Sequence, residues 1–154
     1  VFTAWPLPAS TRRTERNNMS TNNTRNQNQI LAMSCIYDYL TRVEMGEDID
    51  VKALLERVCD APFADIDTFV SEVFIKVVRN HEEIVAMLQV NMNKWKFSRL
   101  NRIAQSILLL SVAHYRYVGE VDRSAVIDIA VRMAKRYLDN ADYKFINAVL
   151  DSTL

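Results

Sequence analysis

Glycine occurs only at Gly46 and Gly119 in this chain of 154 residues, and after Pro8 the one remaining proline is Pro62. Strand-to-strand turns draw on the positive φ of glycine and the fixed φ of proline. A many-stranded sheet needs such punctuation roughly every ten residues. The chain cannot supply it, so we expect an all-α fold of six to seven helices with short loops, forming one compact bundle or two small packed helical bundles.

The apolar spacing agrees. Ile30, Met33, Tyr37 and Leu40 mark an amphipathic first helix that stops near Gly46. Val51 to Cys59 reads as a second helix ended by Asp60-Ala61-Pro62. Asp65 is expected to cap a third through Ile66, Phe69, Val70, Val73 and Val77, with Ile84, Met87 and Leu88 extending the period past Asn80-His81. After a break at Asn91-Met92-Asn93, Ser98 is the expected cap of the most apolar helix, which Gly119 ends in a left-handed cap. Asp122 then caps a helix lined by Val126, Ile129, Ala130, Met133 and Tyr137. Asp139-Asn140 turns the chain into a closing helix whose apolar residues are Phe145, Ile146, Val149 and Leu150.

Residues 1–24 carry no helical or strand period and are rich in Pro, Arg, Asn, Thr and Ser. We expect a disordered extension there, with Met19 as the natural start and residues 1–18 outside the native protein, and one helical domain over 25–154. The start Val1-Phe2-Thr3-Ala4 lacks the basic flank and unbroken apolar run of a secretion signal.

Zero formal charge hides an asymmetry. From Glu44 to Glu83 eleven acids face four bases, and from Lys94 to Lys144 ten bases face five acids. That distribution suits a polyanion held on the basic side, and it equally describes a mixed, solvated surface. Cys35 and Cys59 occupy apolar helical positions and read as reduced, buried thiols; His81 and His114 have no partner at metal-ligand spacing. We expect no metal, cofactor or disulfide. No phosphate loop, nucleophile elbow or paired carboxylates appear, and Asp128 reads as a solvated helix residue, so the chain is not expected to be an enzyme. The apolar run Ile103 to Ala113 is broken by Gln105 and Ser106 and is too short to span a bilayer.

Two places concentrate basic and aromatic residues. Lys94, Lys96, Arg99 and Arg102 interleave with Trp95 and Phe97, which can either meet a ligand or pack the loop onto the core. Lys144 and Phe145 open the closing helix, where Phe145 can likewise be site or core.

That closing segment, Lys144-Phe145-Ile146-Asn147-Ala148-Val149-Leu150-Asp151, resembles the K-F-[VI]-N-G-V-L-D signature of the NusB family. Three earlier blocks resemble the same family in order: Ala32 to Tyr39, Trp95 to His114 and Ala125 to Tyr137. The resemblance implies a cytoplasmic bacterial RNA-binding factor in transcription antitermination of ribosomal RNA operons. Its partners would be single-stranded boxA-like RNA, the NusE ribosomal protein and, indirectly, the RNA polymerase antitermination complex. On this basis Arg25, Gln27, Gln29, Lys144 and Phe145 are the RNA candidates, and Arg99, Arg102 and His114 the protein-partner candidates, although His114 reads more readily as a satisfied helix histidine. The departures fall on polar positions. Arg25-Asn26-Gln27-Asn28-Gln29 stands where the family has an arginine-rich run; Ala104, Gln105, Leu109 and His114 replace Asp, Arg, Arg and Glu; Ile129 replaces Glu and Ala148 replaces Gly. Two other readings stay open: a divergent scaffold for protein interaction or homodimerisation without boxA binding, and the RNA-binding fragment of a ribosomal RNA cytosine methyltransferase.

Overall fold

A computed structural model describes residues 21–154, and side chains from residue 24 onward. Residues 1–20, and with them the expected Met19 start and most of the extension, lie outside it. Among the described residues six α-helices follow one another: α1 (Thr21–Glu44), α2 (Val51–Cys59), α3 (Thr68–Gln89), α4 (Arg102–Ala113), α5 (Arg123–Tyr137) and α6 (Asn140–Thr153). Short 3-10 turns at Phe63–Asp65 and Phe97–Arg99 and a π-turn at His114–Val118 complete them, and the described residues contain no strand. The fold is all-α, as the scarcity of turn residues requires. Two compact units divide the chain, one ending at Ser71 and the other spanning Glu72–Leu154.

In the first unit α1 buries Ile30, Ala32, Met33, Cys35, Ile36, Tyr39 and Leu40. Its backbone already runs helically at Thr21, inside the expected extension and ahead of Arg25, where the helical domain is expected to begin. Gly46 at φ 75 lets the chain fold back, so that the N–H of Glu47 reaches the Arg42 carbonyl at 3.0 Å. Asp50 caps α2 by accepting from the Ala53 N–H at 3.0 Å, and Asp60 ends it in the left-handed region. Leu54, Leu55 and Val58 face the interior. An ion pair joins the two helices: Asp38 Oδ2 on α1 accepts from Arg57 Nη2 on α2 at 2.6 Å, and within α1 it also accepts from Arg42 Nε at 2.9 Å. Cys35 is buried on α1 as expected, whereas Cys59, at the last residue of α2, is half-buried.

Asp65 does not cap α3. Pro62 leads into a 3-10 turn that uses up Phe63–Asp65, and Ile66 is extended, so the helix starts later. Asp67 takes over, its Oδ1 accepting from the Phe69 N–H at 2.8 Å. Within α3 the Asn80 amide donates to the Lys76 carbonyl at 2.8 Å, and Asn80 itself leaves helical geometry at φ −117, ψ 19. A side chain that bonds the preceding turn competes with the backbone ladder, which kinks the helix there.

In the second unit α4 packs against α5 and α6, and α5 against α6. Ten of the twelve residues of α4 are buried, so it has almost no solvent face, as its apolar sequence led us to expect. Its cap is Asn101, whose side chain accepts from the Ile103 N–H at 2.8 Å; Ser98 lies inside the preceding 3-10 turn, too early to reach the helix. Gly119 has positive φ (77), but its ψ of −160 lies outside the left-handed helical region, and it closes the π-turn by donating to the His114 carbonyl at 2.8 Å. Asp122 and Asp139 hold the N-cap positions of α5 and α6, though neither side chain makes the capping bond. The carbonyls at the end of α6 are met by cations: Arg116 Nη2 donates to Thr153 O at 2.9 Å, Arg123 Nε to Leu154 O at 3.1 Å, and Arg123 Nη2 to Asp151 O. Positive charge at a helix C-terminus also opposes its dipole.

Candidate nucleic-acid interface

The segment between α3 and α4 is short on apolar residues, yet it is firmly seated. Met92 and Phe97 are its anchors, 1% and 5% exposed. Asn91 ties its beginning to α6 by donating Nδ2 to Thr153 Oγ1 at 3.1 Å. The amide of Gln89, the last residue of α3, clasps its middle. Nε2 donates to the Trp95 carbonyl at 2.7 Å, and Oε1 accepts from the Phe97 N–H at 2.9 Å. From α4, Gln105 Nε2 donates to the Phe97 carbonyl at 2.7 Å.

Held this way, the two aromatic residues part company. Phe97 turns inward, while Trp95 stays 60% exposed. Of the two roles open to the cluster, Phe97 takes the packing one and Trp95 is presented at the surface. The Trp95 ring meets Phe145 of α6 edge-on, with centroids 6.2 Å apart and planes at 73°. T-shaped pairs of this kind set the positive edge of one ring against the negative face of the other. Phe145 is half-buried, and Ile146, Val149 and Leu150 beyond it are core, so the closing helix packs on the side its spacing indicates. Lys94, Lys96, Ser98, Arg99 and Lys144 are exposed. No acidic residue occurs from Val90 to Gly119. The result is an aromatic pair whose sequence neighbours are lysines.

Basic–aromatic contacts continue at the α5–α6 turn. Lys135 Nζ lies 4.8 Å from the centre of the Tyr143 ring, and the Arg136 guanidinium 5.4 Å from that of Tyr137. Burial raises the Tyr137 phenol above its usual range, against the pull of Arg136.

The RNA candidates divide between the units: Lys144 and Phe145 on α6, and Arg25, Gln27 and Gln29 on α1. Arg25 is exposed; Gln27 and Gln29 are half-buried. Gln27 Nε2 and Gln29 Oε1 are buried without a hydrogen-bond partner among the described residues. At 100° per residue Arg25 and Gln29 share a helix face, and Gln27 points away from both. Among the partner candidates, exposed Arg99 and half-buried Arg102 flank the start of α4. His114 follows the last turn of the helix, about 18 Å away at 1.5 Å per residue, so the three do not form one cluster. Burial lowers the His114 pKa, and Asp128 is an exposed residue of α5. Sequence alone assigns Gln89 and Gln105 no role in holding this loop, because an amide that grips backbone atoms leaves no periodic trace.

A family profile described as the NusB family matches residues 26–154. The chain belongs to the NusB family. Its relatives include the transcription antitermination protein NusB of Finegoldia magna, 32% identical over 133 residues that cover 84% of this chain and 93% of that one. The protein of the same name from Bacillus mycoides is 28% identical over 121 residues, 79% of this chain and 89% of its own. Among solved structures, T. maritima NusB aligns with a TM-score of 0.70 at 20% identity, over 84% of this chain and 89% of that chain. A chain from the crystal structure of a plectonemic RNA supercoil aligns with the same TM-score at 22% identity, over 84% and 92%. These likenesses establish the fold. Family membership places the chain among transcription antitermination proteins, a non-enzymatic class.

Departures from the NusB pattern now have locations. Ala104 and Leu109 are buried in α4, at 5% and 0% exposure, and add to its apolar surface. Gln105 keeps a donor at an arginine position and spends it on the Phe97 carbonyl. Ala148 is exposed in α6, where it favours the helix more than the family glycine would. Among the described residues no helix is long and apolar enough to cross a membrane.

Proposed function

We propose that this NusB-family chain is a cytoplasmic RNA-binding transcription antitermination factor acting on ribosomal RNA operons. It binds single-stranded boxA-like RNA together with the NusE ribosomal protein, and through that complex acts on RNA polymerase. The observation that carries the reading is the exposed Trp95, backed by Phe145, with Lys94, Lys96 and Lys144 beside the pair in sequence. An exposed ring stacks an unpaired base, and the lysines neutralise phosphates. Arg25, Gln27 and Gln29 contribute hydrogen bonds and a single charge from α1, and Arg99, Arg102 and His114 serve the protein partner. The almost full coverage of relatives named antitermination proteins favours this over a methyltransferase fragment.

A second reading has one observation in its favour. With the arginine run reduced to Arg25 and amide atoms of Gln27 and Gln29 turned inward, α1 offers little to RNA, which suits a scaffold for protein interaction or homodimerisation. Titrating boxA RNA and a scrambled control, with and without NusE and at two salt concentrations, separates the two. Sequence-dependent binding that tightens with NusE supports the first. Equal and negligible affinity for both RNAs in every condition refutes it and leaves the scaffold.

A further inference from the structure

Cys35 and Cys59 are the chain's only cysteines, and the fold brings their Sγ atoms to 3.9 Å. A disulfide needs about 2 Å between sulfurs, so each must move by only about 1 Å, a small rotation of the side chain. The seam that holds them is built from both sides. Asp38, three residues after Cys35, is bonded to Arg57, two residues before Cys59, at 2.6 Å. Leu54, Leu55 and Val58 fix the same face of α2 in the interior.

The two thiols are not equivalent. Cys35 is fully buried in the middle of α1. Cys59 is half-exposed at the last residue of α2, directly before the left-handed Asp60, where helix ends open most readily. A small polar oxidant therefore meets Cys59 first and finds Cys35 behind it. A hydrogen bond with Cys59 and burial raise the Cys35 thiol well above its usual range, opposed by the nearby Arg57 charge. Cys35 is thus held as the neutral thiol, and closing the pair needs an oxidant.

We propose that Cys35 and Cys59 are a reversible modification site that forms an intramolecular disulfide between α1 and α2 on exposure to hydrogen peroxide. The Cys59 thiolate attacks one peroxide oxygen, the O–O bond breaks, and the released hydroxide takes a proton to leave as water. The sulfenic acid so formed on Cys59 is attacked by Cys35 sulfur. The S–S bond forms as the S–OH bond breaks, and the Cys35 proton leaves with the hydroxide as a second water. The two thiols lose two electrons and the peroxide gains them. In a compartment that keeps thiols reduced, such a bond is transient and serves as a sensor.

The test uses the full chain, treated with hydrogen peroxide, then unfolded, alkylated and weighed intact. The expected result is a monomer lighter by about 2 Da in which both cysteines resist alkylation together, and dithiothreitol restores both. In Cys35→Ser the Cys59 sulfenic acid has no resolving partner and is trapped by dimedone. In Cys59→Ser, a change at a half-exposed position that spares the core, Cys35 stays alkylatable. Sulfinic acid on Cys59 beside an untouched Cys35, disulfide-linked dimers, or no mass change at peroxide levels that oxidise a free cysteine each overturn the proposal. Should Cys35→Ser fail to fold, the wild-type mass and Cys59→Ser decide alone.

Discussion

Replacing Trp95 by alanine separates presentation from packing more sharply than any other change in this chain. Of the roughly 250 Å² a tryptophan can bury, about 100 Å² is covered here, because the residue is 60% exposed. At about 25 cal/mol per Å² that area is worth at most about 2.5 kcal/mol, and nearer 2 once a compact unfolded chain is allowed for. The edge-on contact with Phe145 is part of that sum. Gln89 holds backbone atoms, so the loop keeps its course without the ring. Phe97, two residues on and 5% exposed, is the counter-case, and its truncation should cost about 3–5 kcal/mol. Loss of a stacking platform, in turn, weakens RNA binding by about 1–3 kcal/mol, roughly 5- to 150-fold. Urea unfolding of Trp95→Ala and Phe97→Ala, with fluorescence anisotropy of a labelled boxA RNA on the first, measures both sides. The salt dependence of binding should stay as in the wild type, since no cation is removed. A Trp95→Ala protein that folds and binds RNA as tightly as the parent sinks the argument, and so does one destabilised as much as Phe97→Ala.

Other perturbations test the frame. Asp38→Asn removes the ion pairs with Arg57 and Arg42; these side chains are between about a quarter and a half exposed, so solvent screening limits the loss to about 1 kcal/mol, and high salt should shrink it further in urea melts. Leu109→Ala, at a fully buried position of α4, should lower stability by about 2–5 kcal/mol in the same assay. Burial holds the His114 and His81 pKa values below 6.5, with Glu82 pulling His81 partly back. Between their folded and unfolded values both rings are therefore neutral in the folded protein but protonated in the unfolded chain. The unfolded state then binds more protons, so stability falls as pH drops through about 6.5 and levels off below the folded values. Urea midpoints between about pH 7.5 and 5.5 should show that slope, and His114→Gln should flatten part of it; an unchanged slope refutes a role for His114.

Helix content was readable because periodicity and the want of turn residues constrain the same choice. Val51–Cys59 and the buried run of α4 stand where their spacing puts them. Helix starts were less readable. Ser98 and Asp65 each yield their capping role to a residue two or three places on, because a 3-10 turn intervenes, and such a turn has no apolar period of its own. The site shows the same division. Lysines and aromatics between Asn91 and Leu100 are plain in the sequence, but which ring faces outward depends on the Gln89 and Gln105 amides. The closeness of Cys35 and Cys59 depends on how α1 meets α2, which no local pattern encodes.

The Gln89 clasp has a consequence for how this surface can change. It grips the carbonyl of residue 95 and the N–H of residue 97, and every amino acid offers a carbonyl at position 95. The identity of the displayed ring is thereby uncoupled from the path of the loop. Tyrosine, phenylalanine or histidine can be set on the same mount without refolding it. Selection or a protein engineer can therefore retune what this surface stacks against one residue at a time, while the helices beneath remain as they are.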